Sequence, residues 1–181
     1  MVAQSTAVDP PVLNEEEQLA LSQEAHADKI IRQNVVWAAG GGIIPVPVFD
    51  FVAIAAVNIK MLRELAAVYE LPFKEDQVKS ILASLLAGLG APTLGMALTV
   101  SLVKAVPVIG VLSAVAAVPL LSAAFTYAVG KVFVQHFAAG GTFLNFDPKR
   151  VRAHFAREFK EGKVVASSIK AKPAGPVSPT V

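Results

Sequence analysis

The sequence predicts an all-α protein, a helical bundle with a long central apolar hairpin over residues 81–130 that is inserted in a membrane. Three observations predict it. Apolar residues make up 54% of the chain and charged residues only 17%, against about 25% charged in an ordinary soluble protein. Val78, Ile81, Leu82, Leu85, Leu86 and Leu89 recur at the i, i+3, i+4, i+7 spacing of one helix face. Two runs, Ile81–Val103 (23 residues) and Ala105–Gly130 (26 residues), contain no charge at all.

The elements follow in order. After a flexible lead over residues 1–12, Asn14 with Glu17 three positions later marks a helix start, and Glu15–Glu17 fill its first turn. That helix runs to about Ala39 and is ended by Gly40-Gly41-Gly42; Pro45 and Pro47 hold the residues before them extended. A second helix runs from about Val48 to Glu70, with Phe51, Ile54, Ala55, Asn58, Met61, Leu62 and Leu65 on one broad face. Leu71-Pro72-Phe73 turns the chain, and a third, amphipathic helix starts in "KEDQVKS" and breaks at "GLGAPT" (residues 88–93).

The two arms of the hairpin meet at a tip holding Lys104 and Pro107. A membrane span needs about 20 apolar residues, so both arms qualify by length, although the break at Gly90-Ala91-Pro92 interrupts the first and Pro119 would kink the second. Small residues at four-residue spacing allow close helix contact: Ala83, Ala87, Ala91, Gly95 and Thr99 in one arm, and Gly110, Ala114, Ser122, Thr126 and Gly130 in the other, with Val118 interrupting. Ala105–Gly130 offers only Ser113, Ser122, Thr126 and Tyr127 as polar groups, which favours lipid over a soluble core. Lys79, Lys131, Lys149 and Arg150 flank the outer ends, placing both termini in the cytoplasm. Asp147 and Pro148 then start a basic helix that ends at Gly162, the single helical domain covers residues 13–162, and a Pro-containing tail over 163–181 reads as disordered.

Charge is unevenly spread about a net +2: residues 1–28 carry six acids and no Lys or Arg, whereas 131–172 carry nine bases against three acids. Such a basic end suits anionic lipid or an acidic partner. Only Phe155 and Phe159 accompany these bases, so no nucleic acid is expected. The opening residues carry neither a basic n-region nor an apolar h-region, so no secretory signal is expected.

No catalytic constellation emerges. Gly40-Gly41-Gly42 is followed by Ile43, Ile44 and Pro45 with no lysine before Lys60, so it lacks the phosphate-binding lysine and hydroxyl of a P-loop. Cysteine is absent, and His26, His136 and His154 are not spaced as metal ligands on one helix. We therefore expect no enzyme activity, cofactor or metal. Asp50, the one acid inside an apolar stretch, is read as meeting the dipole of the second helix, and Lys104 as a solvated tip residue.

The stretches "PVPVFDFVAIAAVNIKMLRELAAVYE" and "VPVIGVLSAVAAVPLLSAAFTYAVGKVF" resemble the YcjF/GTPase-associated family, bacterial domain of unknown function 697, across roughly residues 30–160. The resemblance rests on Pro45, Pro47 and Asp50, on Lys60-Met61-Leu62 with Leu65 and Tyr69, on Pro107 with Gly110, and on Thr126, Tyr127 and Gly130. Glu70 stands where the family often has glycine. Members occur fused to or alongside Era-like GTPase domains and are regarded as helical membrane proteins. The resemblance thus implies a membrane-associated anchor or scaffold partnering a GTPase in trans at the bacterial inner (cytoplasmic) membrane. Structural or interaction candidates are Pro45, Pro47, Asp50, Lys104, Pro107, Gly110, Thr126, Tyr127 and Gly130, and the bases expected at the membrane surface are Lys149, Arg150, Arg152 and Arg157. The alternative is a soluble, cytoplasmic homo-oligomeric interaction module.

Overall fold

The computed structural model describes residues 14–40, 47–89 and 110–171. Among them are five α-helices, α1 (Glu15–Gly40), α2 (Pro47–Val68), α3 (Glu75–Gly88), α4 (Gly110–Ala138) and α5 (Arg152–Ala171), with one 3-10 turn at Phe143–Asn145. The N-terminus of α1 forms as its sequence requires. Asn14 Oδ1 accepts the Glu17 backbone N–H at 2.8 Å, and Glu17 Oε2 accepts that of Asn14 at 3.1 Å, a reciprocal capping box.

Two helices leave through the same left-handed turn. After α4, Gly140 has φ 77, its N–H reaches Phe137 O at 2.9 Å, and Gly141 N–H reaches His136 O at 2.8 Å. After α2 the residue in that conformation is Glu70, with φ 54, while Leu71 N–H donates to Ala66 O at 2.8 Å. An L-residue there costs about 1–2 kcal/mol, which is why glycine is common at this position of helix ends.

The central helix is α4, which packs against α1, α2 and α5; α3 packs against α2 and α5. Val78, Ile81, Leu82 and Leu85 of α3 are buried. A five-ring cluster closes one end of the core. Phe133 stacks on Phe146 at 4.4 Å and meets Phe137 and Phe143 at 5.4 and 5.5 Å, and Phe73 meets Phe143 edge-on at 5.8 Å.

The expected membrane-inserted hairpin over 81–130 lies only partly within the described residues, and those parts pack within the bundle. Of its first arm, residues 81–88 belong to α3, which packs against α2 and α5. Its second arm is buried in protein from Ser122 to Gly130, with only Tyr127 half-buried. Among the described residues no helix is long and apolar enough to cross a membrane. The reason is physical. An amphipathic helix such as α3 has one face to hide and hides it on the bundle, and a helix surrounded by three others is apolar all round without lipid. The tip with Lys104 and Pro107 lies outside the described residues.

The last helix also differs from expectation. Asp147 Oδ1 accepts the Lys149 N–H at 2.9 Å, but this begins only a turn, and α5 starts at Arg152. It then passes through Gly162 to Ala171, so residues 163–171, expected in a disordered tail, are helical. Gly162 is a contact residue and not a terminator. A Cβ built on it would lie 2.7 Å from the Ala124 carbonyl oxygen and 3.0 Å from Ala124 Cα.

Candidate functional site

Contacts between helices set a common axial scale for the bundle. α1 runs antiparallel to α4: Asp28 Oδ1 lies 3.6 Å from Lys131 Nζ, and a Cβ on Gly130 would lie 2.6 Å from Ile31 Cγ1. α5 is also antiparallel to α4, with Gly162 against Ala124 and the Tyr127 hydroxyl donating to Glu161 Oε1 at 3.2 Å. α2 returns antiparallel to α1, tied by Gln23 Nε2 to Val68 O at 3.3 Å and by Asn34 Nδ2 to Glu64 Oε2 at 3.0 Å. At a rise of about 1.5 Å per residue, Asn34, Asn58 and Thr126 therefore share one level to within about a turn.

These residues form a buried polar waist. Asn58 Nδ2 donates to Thr126 Oγ1 at 3.2 Å and to Ile54 O at 2.7 Å, and Asn34 Nδ2 donates to Ile30 O at 2.9 Å. All three side chains are fully buried, as is Ser122 one turn away. Leaving such groups unpaired in an apolar core costs about 1–3 kcal/mol each, so the two bonds between helices, Asn34 to Glu64 and Asn58 to Thr126, favour this alignment of α1, α2 and α4. The amide oxygens of Asn34 and Asn58 are buried without a protein partner.

On one side of the waist, toward the N-terminus of α1, lie the ion pairs. Asp28 binds Arg32 at 2.7 Å as well as Lys131, Lys60 binds Glu64 at 2.7 Å, Glu75 binds Lys79 at 2.8 Å and Arg63 at 3.2 Å, and Arg150 binds Asp147 at 3.4 Å. Partial burial pushes the Asp28 carboxyl up, but the Arg32 hydrogen bond and charge and the Lys131 charge outweigh it, and the net shift is downward. A groove of about 260 Å³ between α1 and α4, lined by Leu21, Glu24, Asp28 and Lys131 among others, lies on this charged side.

On the other side the described parts of α1, α2 and α4 are nearly free of charge, as the sequence there is over long runs. From Gln33 to Ile59 the one charged residue is Asp50, and from Ala105 to Gly130 there is none. Here α1 ends, with Val36 and Trp37 exposed at 53% and 70%, and α5 carries Val164 exposed at 68%. The level of Trp37, six residues past Ile31, is that of Ala124, which touches Gly162. α5 brings Lys160, Glu161 and Lys163 to the same end, so this pole sets exposed apolar side chains beside charged ones.

The sequence-derived candidates are distributed over this frame. Thr126, Tyr127 and Gly130 come together on α4 at or beside the waist. Pro47 opens α2, Asp50 falls in its first turn, and Gly110 opens α4; the side chain of Asp50 and the whole of Pro45, Lys104 and Pro107 lie outside the described residues. Of the four bases expected at a membrane surface, Lys149 is exposed, and Arg150 pairs with Asp147. Arg152 Nε donates to Gly88 O at 2.7 Å and caps α3, and Arg157 Nη2 lies 3.2 Å from His154 Nδ1. His136 fastens a turn: its Nε2 lies 3.0 Å from both Thr142 O and Asn145 Oδ1, two acceptors, so it carries the proton. Among the described residues no three His, Cys, Asp or Glu side chains gather as a metal site. The roles of Asn34, Trp37, Gly162 and Val164 escape the sequence reading. The available signal was a lone tryptophan just before a glycine run, and asparagines at helical spacing within apolar stretches.

Tyr127 yields a test of the waist. Burial first, then the Glu161 charge and its hydrogen bond, push the phenol from 10.0 up to about 12. The folded state thus holds a proton that the unfolded chain releases, so this contribution to stability is intact below pH 10.0 and is lost as pH rises toward about 12. Tyr127→Phe should flatten the fall of the urea midpoint across that window, and an unchanged slope would remove Tyr127 from the coupling. Tyr69, whose pKa is also raised by burial, supplies a residual slope in both proteins.

Comparison with known proteins adds a relative and a family. The chain is 35% identical over 153 residues to magnetosome membrane protein 22 of Magnetospirillum gryphiswaldense, covering 84% of this chain and 78% of that protein. No solved structure matches the chain significantly. Residues 13–161 match the family described as domain of unknown function DUF697, which spans the cap of α1, the waist and the first half of α5, and the chain belongs to that family.

Proposed function

We propose that this protein is a membrane-associated helical anchor or scaffold without catalysis of its own, acting in trans with an Era-like GTPase at the bacterial inner membrane. The observation that carries the reading is the exposure of Val36, Trp37 and Val164 at one end of the bundle, past the Asn34–Asn58–Thr126 waist, in a chain whose sequence runs Gln33–Ile59 and Ala105–Gly130 hold a single acid. The relative's name as a magnetosome membrane protein supports association with a bilayer. α3 and Ser122–Gly130 of α4 are occupied in the core and are not the inserted segment.

Fractionation of cells producing the full chain tests it. Recovery in the membrane pellet is expected. Retention through an alkaline carbonate wash, with release by detergent, assigns an inserted segment, and release by carbonate assigns a peripheral attachment. Recovery as a soluble oligomer of fixed size overturns the membrane reading in favour of a homo-oligomeric interaction module. Cross-linking in the same cells is expected to join the protein to a GTPase, and its absence from the cross-linked products would remove that partner.

A further inference from the structure

Building on that membrane reading, we propose that the protein docks end-on to an anionic bilayer, with Val36, Trp37 and Val164 entering the headgroup–acyl boundary and Lys160 and Lys163 meeting the lipid phosphates. The three apolar side chains are all more than half exposed and lie at one end of the bundle, on α1 and α5, which touch each other. Tryptophan partitions to membrane interfaces because its ring is apolar and its N–H still needs a polar partner. Lys160 and Lys163 are exposed on the same stretch of α5, with the Lys163 ammonium 5.5 Å from the Phe159 ring centroid. Of the acids of that stretch, Glu158 is half-buried with its carboxylate 3.6 Å from His154 Nδ1, and Glu161 is exposed and accepts a hydrogen bond from the Tyr127 hydroxyl. Two exposed lysines against one exposed acid leave this face net cationic.

Charge also selects which pole docks. The opposite end exposes Leu19, Leu21 and Leu144, but the first two stand among Glu15, Glu16, Glu17 and Glu24, which repel an anionic surface. An interfacial segment sinks about 5–10 Å into the boundary region. Arg152, at the start of α5, is 12 residues from Val164 and so about 18 Å away along the helix. Lys149 and Arg150 precede it. These three bases therefore stay in water, and the cations that meet lipid are Lys160 and Lys163.

Trp37 is the single tryptophan of the chain, so its fluorescence reports on this pole alone. The full-length protein is mixed with vesicles of phosphatidylcholine containing phosphatidylglycerol, and binding is read by flotation and by Trp37 emission. Expected are co-flotation, a blue shift of Trp37 and quenching by brominated acyl chains. Lys163→Gln should weaken binding about fivefold, and Val36→Asp with Val164→Asp at least about tenfold. Both altered sites are exposed, and unchanged unfolding midpoints would show the fold intact. Lys149→Gln with Arg150→Gln should leave binding unchanged. Co-flotation with unaltered Trp37 emission, or loss of binding from the Lys149 and Arg150 pair instead, overturns end-on docking while the membrane reading stands. Failure to float overturns both. A blue shift that grows with protein concentration in the absence of vesicles assigns the pole to a second copy of the chain and also overturns the proposal.

Discussion

Gly162→Val is expected to destabilise the protein by about 3 kcal/mol, the upper end of what overpacking costs in a well-filled core. The alanine version should cost less, because alanine regains about 1 kcal/mol of helix propensity over glycine. The atoms in the way are Ala124 O at 2.7 Å and Ala124 Cα at 3.0 Å, backbone atoms that cannot rotate aside, so α4 and α5 must separate. At Gly130 the obstacle is the side chain of Ile31, which can change rotamer. Gly88 provides the control. A Cβ there meets nothing nearer than Arg152 Cγ at 3.9 Å, so Gly88→Ala should stabilise by up to about 1 kcal/mol. Urea unfolding of the three variants decides the matter: if Gly162→Ala behaves like Gly88→Ala, the close helix crossing is not a constraint.

Phe133→Ala should cost about 3–5 kcal/mol, the range for removing a fully buried aromatic ring. The ring is fully buried and joins α4 to Phe143 and Phe146 in the segment that follows it. That segment in turn holds α3, through Phe73 against Phe143 and Gln77 Nε2 donating to Phe143 O at 2.8 Å. Domain stabilities lie near 5–15 kcal/mol, so a third or more of the total is at stake. A thermal midpoint close to that of the parent protein would show that the cluster closes over the gap. Amide exchange should quicken first in α3, whose attachment to the core is least extensive.

Much of the fold is legible residue by residue. Asn14 and Glu17 announce the start of α1, the Val78–Leu85 rhythm gives the buried face of α3, and Glu70, standing at a glycine position of the resembled family, proves to hold the left-handed turn that glycine would favour. The site is less legible. Thr126 and Tyr127 are visible as polar interruptions in an apolar run, but their partners Asn58 and Glu161 lie 68 and 34 residues away. Gly162 reads as a helix end because glycine usually weakens helices, and the opposite requirement, room for a neighbouring backbone, leaves no local trace.

From the sequence alone come the helices, their capped starts, the concentration of acids toward the N-terminus and bases toward the C-terminus, and the uncharged runs. Each of these depends on residues within a few turns of one another, and helix periodicity and capping act over that range. The folded bundle decides what the uncharged runs face. Hydrocarbon and a protein core make the same demand on a side chain, so apolar composition cannot distinguish them. The crossing of α4 with α1, α2 and α5 does, by burying Ser122–Gly130 and leaving Val36, Trp37 and Val164 exposed at one pole.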